Sequence, residues 1–241
     1  MKMKTKVARN LPTQIVVSLG SQIVSGAIPA GTVITSNSLE VQFGVSRTVV
    51  REALKVLHDK GLTRPRTKTG TIVLERHEWN LLDPDVVLWL HQSGLGKDLV
   101  RDLEEFRASY EPWVARIAAK RRGSKDITIL TAELKKMTDA FYQEGPHTDL
   151  IGETDVAFHQ ALLDATQNEL MKRIGRLFIP LLRMRDDMVK HVVEDADFII
   201  QHQAVLDAII EEDADLAESA MKALLNQATK VSSDARKRIL D

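Results

Sequence analysis

The sequence predicts a mainly α protein in two parts: an N-terminal winged helix-turn-helix followed by a C-terminal all-α antiparallel helical bundle. Three observations carry this. Residues 44–62, GVSRTVVREALKVLHDKGL, set Arg47, Arg51 and Lys55 four apart on one helix face and Val50, Ala53, Leu54 and Leu57 on the other. The formal charge of −1 over 241 residues is unevenly divided. Residues 1–76 hold 12 Lys+Arg against 4 Asp+Glu, giving +8, while the remainder holds 21 against 30, giving −9. Beyond residue 98 the apolar spacing is helical throughout, with no convincing strand.

Each element follows in order. Between Pro12 and Ser25, Ile15, Leu19 and Ile23 recur at intervals of four, and Gly26, Pro29 and Gly31 close this first helix. Ser36, Asn37 and Ser38 offer N-cap residues to a short helix through Leu39, Val41 and Phe43. Gly44 ends it, and Ser46 is expected to cap the next. Two short helices meeting at a glycine make a helix-turn-helix. LTRPRTKTGTIVLE then places β-prone residues on both sides of a Thr-Lys-Thr-Gly turn, a hairpin whose tip carries Arg66 and Lys68. Such a hairpin is a wing, so residues 1–76 form one domain. Asp83 with Pro84 starts a helix that Gly94 and Gly96 stop, giving a linker with a docking helix over 77–97. Helices are then predicted over 98–122, 125–142, 149–166, 169–190, 195–211 and 213–237, within a second domain of residues 98–241.

Composition narrows the function classes. The chain contains no cysteine, which excludes disulfides, thiolate catalysis and Cys-based zinc sites. Its longest apolar runs, such as VVLWL at 86–90, fall far below the roughly 20 residues a membrane span needs. The basic start leads into an apolar stretch broken by Ser, Gly and Gln rather than into a leader, so a soluble cytoplasmic protein is expected. No Gly-rich phosphate loop, HExxH or nucleophile elbow is present, and no enzyme is expected.

The basic module points to double-stranded DNA. On a recognition helix Ser46, Arg47, Thr48 and Arg51 lie nearest the base edges and Lys55 nearer the backbone, with Arg66 and Lys68 reaching a neighbouring groove or phosphates. An arginine fork pairs with guanine or grips a phosphate twice. One winged helix reads few bases, so a homodimer on an inverted repeat is expected.

In the acidic half, Asp155 and His159 stand one helical turn apart, and His202 shares a face with Val205, Leu206 and Ile209. An Asp and two His suit a divalent metal such as zinc, or a hydrogen-bonded buried pair that needs none. A distant alternative is a metal-dependent hydrolase built on these three residues, but no general base stands beside them. Arg107 adjoins an apolar row; its partner is either Glu104 or Glu111, or an effector. Asn168 is a minor effector candidate whose place is also explained by an N-cap. Trp79, Trp89 and Trp113 are expected to serve in packing.

Residues 11–76, with GVSRTVVREALKVLHDKGL and TGTIV, resemble the winged-helix signature of the GntR family of bacterial transcription regulators. The resemblance implies that Arg47, Arg51 and the hairpin tip near Gly70 face DNA. It departs at Asn37, where the family carries an Arg or similar residue. DLEEFRASYEPWVARIAA, TDVAFHQALLDATQN and QHQAVLDAIIEED resemble the helical ligand-binding (FCD) domain of the FadR branch, and WNLLDPDVVLWL resembles sugar-acid, galactonate-type repressors. That implies a repressor of a catabolic operon released by a small carboxylate, a sugar acid first and a hydroxy acid or acyl ligand as the alternative. It also implies that Arg107 faces the effector, with Asp155, His159, Asn168 and His202 near it. A further metal-binding His of many relatives falls at Leu224 here.

Overall fold

The computed structural model describes residues 11–67, 69–191 and 195–238. Two compact units divide the chain, residues 1–96 and 97–241.

In the first unit, α1 (Leu11–Val24) packs against α3 (Arg47–Asp59), and the four-residue apolar spacing of each becomes its buried face: Ile15, Leu19 and Ile23 on one, Val50, Ala53 and Leu57 on the other. The intervening α2 (Ser36–Phe43) is capped by Thr35, one residue ahead of the expected Ser36–Ser38, with Oγ1 accepting from the Ser38 amide at 3.2 Å. Gly44 closes α2 in the left-handed conformation, φ 63°. Ser46 occupies the N-cap of α3, but its side chain makes no capping hydrogen bond, contrary to expectation; the residue is exposed.

The wing is a three-stranded antiparallel sheet, not a bare hairpin. Strand β2 (Thr63–Arg66) pairs with β3 (Gly70–Val73), and the two-residue β1 (Val33–Ile34) joins the far edge of β3, in the order β1-β3-β2. Gly70 allows that third strand: its φ is +121°, and a Cβ there would sit 2.6 Å from the carbonyl oxygen of Ile34.

Helix α4 (Pro84–Gln92) belongs to the first unit and packs on α1. Asp83 caps it, Oδ1 accepting from the amides of Asp85 and Val86, and also takes the ammonium of Lys60 at 2.8 Å. Lys60 caps the end of α3, is 8% exposed and also reaches Asp85 at 2.7 Å, so its ammonium ties the end of α3 to the start of α4. Burial works to lower the Lys60 pKa, and Asp83 and Asp85 outweigh it, leaving it raised. Trp89, fully buried, lies so close to Gly20 that a methyl group there would collide with the indole.

The second unit comprises α5 (Lys97–Arg121), α6 (Ser124–Glu144), α7 (Asp149–Ala165), α8 (Glu169–Leu177), α9 (Ile179–Val189), α10 (Asp197–Ile210) and α11 (Ala214–Arg238). The expected single helix over 169–190 is two, broken at Phe178 because Pro180 in the first turn of α9 has no amide hydrogen to continue the ladder. Phe158, Leu162, Leu206, Ile209 and Met221 anchor an apolar core from α7, α10 and α11. Trp113 is the exception among the tryptophans expected to pack: it is 51% exposed.

Gly61 generates a prediction. It turns the chain from α3 into β2 at φ +74°, and an added Cβ would lie 2.5 Å from the carbonyl oxygen of Glu78. Gly61→Ala should therefore destabilise the first unit by about 1–3 kcal/mol, from backbone strain plus a contact only the main chain can relieve. Urea denaturation checks it; an unchanged midpoint contradicts the turn's geometry.

Candidate functional site

Two surfaces carry chemistry. On α3 the residues expected at DNA, Ser46, Arg47, Thr48, Arg51 and Lys55, are all exposed, opposite the buried row of Val50, Ala53, Leu54 and Leu57. Arg66 is exposed at the end of β2, facing Gly70 across the turn; Lys68 lies outside the described residues. Asn37 is exposed on α2. Gly70 holds the wing's shape through its backbone. Arg64, two residues before Arg66 on β2, pairs with Glu78 and so braces the wing.

The second site is buried within the helical unit, on α5, α7, α9 and α10. Arg107 is 3% exposed and grips Glu111 one turn along α5, donating from Nε to Oε1 at 2.6 Å and from Nη2 to Oε2 at 3.2 Å. Of the two expected carboxylate partners, Glu111 holds this guanidinium. The same Nη2 donates to Nε2 of His159 at 3.0 Å. Nδ1 of His159 lies 2.9 Å from Oε2 of Glu111, though out of line for a full hydrogen bond. Burial would raise the Glu111 pKa; Arg107 and His159 overcome that and hold it down at about 2. Burial likewise opposes the charge on Arg107, and Glu111, with Asp155 and Asp186 behind it, keeps its pKa raised.

Asp155, His159 and His202 do converge, each offering a ligand atom within 4.8 Å of the others. Oδ1 of Asp155 is 3.1 Å from Nε2 of His202 and 3.8 Å from Nε2 of His159. Nδ1 of His202 donates to the carbonyl oxygen of Phe198 at 2.7 Å, which turns the ring's lone pair on Nε2 toward Asp155. A carboxylate oxygen and a lone pair 3.1 Å apart repel unless a proton or cation lies between them. Nε2 of His202 and Oδ2 of Asp155 are buried with no hydrogen-bond partner. Histidines anchored through the far nitrogen by a carboxylate or a carbonyl, with the near nitrogens converging on a carboxylate, are what a metal site's outer shell provides. The three residues therefore fit a divalent ion, with Leu224 supplying no fourth ligand.

Three residues here were not found in the sequence. Arg185 and Asp186 lie on α9 and both are about nine-tenths buried; Arg185 donates from Nη1 to Oδ1 of Asp186 at 2.6 Å and approaches Oδ2 of Asp155 at 3.8 Å. Gly152 on α7 makes room for them, since a Cβ there would meet that of Asp186 at 3.0 Å. Burial pushes the Asp186 carboxyl up to about 6, Asp155 adding to it against the pull of Arg185. Asp155 moves the opposite way: burial would raise it, but His159, His202 and Arg185 hold it far below the usual range.

A narrow cleft opens beside this cluster, with Arg107, Glu111, His159 and Gln160 at its polar wall. Phe106, stacked with Phe178 at 4.3 Å and with Tyr110 at 5.4 Å, forms an aromatic wall, and Leu162, Leu163 and Leu182 are among the apolar residues that line the rest. Asp155 and His202 stand behind His159, outside that lining. Asn168 does not join the site. Its Oδ1 is spent on the amides of Leu170 and Met171 as the N-cap of α8.

The opposed carboxyls predict a pH dependence. A folded-state pKa of Asp186 raised from 3.8 to about 6 means stability is full at low pH and is lost as pH rises through about 6. Asp186→Asn removes that loss, so its stability relative to wild type should improve by about 2–3 kcal/mol between pH 4 and pH 7. Chemical denaturation at both pH values checks it; a pH-independent difference contradicts it.

The comparisons with known proteins agree with this arrangement. Residues 11–73 match the model of bacterial regulatory proteins of the gntR family, and residues 102–227 match the FCD domain. The chain is 28% identical over 225 residues to the galactonate operon transcriptional repressor of Escherichia coli, covering 92% of this chain and 96% of that protein. It is 30% identical over 224 residues to the transcriptional regulator LutR of Bacillus subtilis, covering 88% and 96%. The gluconate operon transcriptional repressor of Bacillus subtilis is 24% identical over 204 residues, covering 81% and 74%. Among solved structures, the Lar regulator of Listeria monocytogenes superposes with a TM-score of 0.56 at 16% identity, covering 97% of this chain and 99% of that one, a likeness of fold. A winged helix with an exposed basic face, joined to a helical unit with a buried polar site, identifies this chain as a transcriptional regulator: it belongs to the GntR family and carries an FCD domain.

Proposed function

We propose that this regulator represses a catabolic operon: a homodimer holds an inverted-repeat operator through α3 and the wing, and a small carboxylate of the sugar-acid class releases it. The roles run with the chain: residues 1–76 bind DNA, 77–97 link, and 98–241 bind the effector and dimerise. Such a protein works in the cytoplasm, where the operator is.

One observation carries the effector half of the reading. Arg107 is buried at the wall of a cleft, held by Glu111 and facing an aromatic surface. A buried guanidinium is costly unless paired, and the cleft lets a ligand carboxylate share it. The charges favour a monoanion. Arg107 offsets Glu111 and Arg185 offsets Asp186, leaving Asp155; a divalent ion at Asp155, His159 and His202 would leave one positive charge, which an effector carboxylate cancels. When bound, that ion supplies an electrophilic contact for a carboxylate or hydroxyl oxygen. The chain's own residues do the rest: Arg107 orients the carboxylate, Gln160 offers partners to hydroxyl groups, and Phe106, Tyr110 and Phe178 cover the C–H face of the carbon chain.

The sugar-acid class is supported by relatives named for galactonate and gluconate operons. The second reading, a shorter hydroxy acid or an acyl carboxylate, is favoured by the leucines that line the far wall. Either effector acts by preferring the state that binds DNA less well, and the shift it causes is bounded by that preference.

Two substitutions test the division of labour. Arg51→Ala should cost about 1–3 kcal/mol of affinity for an operator fragment selected from random DNA, measured by fluorescence anisotropy, and leave the effector response intact. Arg107→Ala should keep operator affinity near wild type and abolish release by galactonate or gluconate. An Arg51 variant with unchanged DNA affinity would refute the recognition-helix assignment; a fully responsive Arg107 variant would refute the pocket.

A further inference from the structure

His159 sits where the two halves of the buried site meet, and its geometry sets them against each other. A guanidinium can only donate, so Nη2 of Arg107 on Nε2 assigns the lone pair to that nitrogen and the ring proton to Nδ1, which lies 2.9 Å from the Glu111 carboxylate. A single in-plane lone pair accepts one hydrogen bond or makes one coordinate bond. Nη2 of Arg107 holds it at 3.0 Å. The same nitrogen is the one His159 would contribute beside Asp155 and His202.

We propose that Arg107 and a divalent cation compete for Nε2 of His159, so that ligation by His159 releases the Arg107 guanidinium to the cleft for an effector carboxylate. This rests on the carboxylate-effector reading above. While Arg107 holds Nε2, only Asp155 and His202 remain to bind a cation, and Leu224 adds nothing. Two buried guanidinium groups near the cluster, those of Arg107 and Arg185, add like-charge repulsion to the competition.

Once Nε2 is given to a cation, Arg107 keeps Glu111 and has donors to spare. Arg107 already lines the cleft, so its freed donors face the space a ligand would fill. A carboxylate engaged by Arg107 in turn removes the competitor from His159. Cation and effector therefore reinforce each other, and the reinforcement is reciprocal: the factor by which one tightens the other is the same in both directions.

The test is isothermal titration of zinc chloride into the chelator-stripped full-length protein, with far-UV circular dichroism confirming the fold of each variant. Arg107→Met combined with Glu111→Gln removes the competing donor without leaving a buried charge. Arg107→Lys is the gentler variant, keeping the charge but losing the fork. Zinc should bind at least about tenfold tighter to the double variant than to wild type, and Arg107→Lys should shift affinity in the same direction by less. Structural damage would weaken zinc binding, so the direction separates competition from a packing defect. Zinc affinity that is unchanged or weaker in both variants overturns the proposal. Absence of zinc binding in all three proteins also overturns it, while an Arg107-dependent response to carboxylates in metal-free buffer would leave the effector reading standing. Tightened zinc binding alongside a carboxylate panel that produces no response sinks the effector reading alone.

Discussion

The buried pairing of Arg107 with Glu111, extended through His159, is the interaction on which the helical unit's site depends. Removing either charge would strand the other in an interior that solvates it poorly, a loss of several kcal/mol. Their pairing keeps both ionised, Arg107 and His159 holding the Glu111 carboxyl below its ordinary range against the effect of burial. From there the order of the site follows. Arg107 fixes the tautomer of His159 by donating to Nε2, His159 stands between the cleft and Asp155, and Asp155 is flanked by His202 and Arg185.

The first unit works by a different constraint, which is attachment. The residues of α3 proposed to meet DNA are exposed, so they cannot hold their own helix in place. The opposite face of α3 does that through Val50, Ala53 and Leu57, and Lys60 fixes its far end to Asp83 at the start of α4. Trp89 seated on Gly20 secures α4 to α1 in turn. A basic surface is thereby presented on a frame whose stability comes from apolar burial and the ion pairs of Lys60 rather than from the surface charges themselves.

Much of this was legible in the sequence because periodicity is a direct image of a helix with one buried face. The spacing of Val50, Ala53, Leu54 and Leu57 gave α3, and Asp155 with His159 at i and i+4 gave one wall of the cluster. Strand β1 was not legible, since two residues carry no alternation; only the close approach permitted by Gly70 builds it. Arg185 and Asp186 were missed for another reason: LLRMRDDMV is rich in charge and looks solvent-facing, yet the break at Phe178 and Pro180 folds α9 against α7. The available signal was Gly152, a gap on α7 one turn ahead of Val156 that admits Asp186. Asn168 shows the reverse case, a polar residue whose local capping role exhausts its chemistry.

The measurement that bears most directly on the central claim, that Arg107 and its neighbours form a carboxylate receptor, is isothermal titration of the full-length protein with galactonate and gluconate. A panel of hexuronates, short hydroxy acids and acyl carboxylates completes it. Saturable binding of at least one aldonate at one site per chain is expected, lost when the carboxylate is replaced by the corresponding neutral alditol. Equal binding of acid and alditol, or no binding by any carboxylate on the panel, would contradict it.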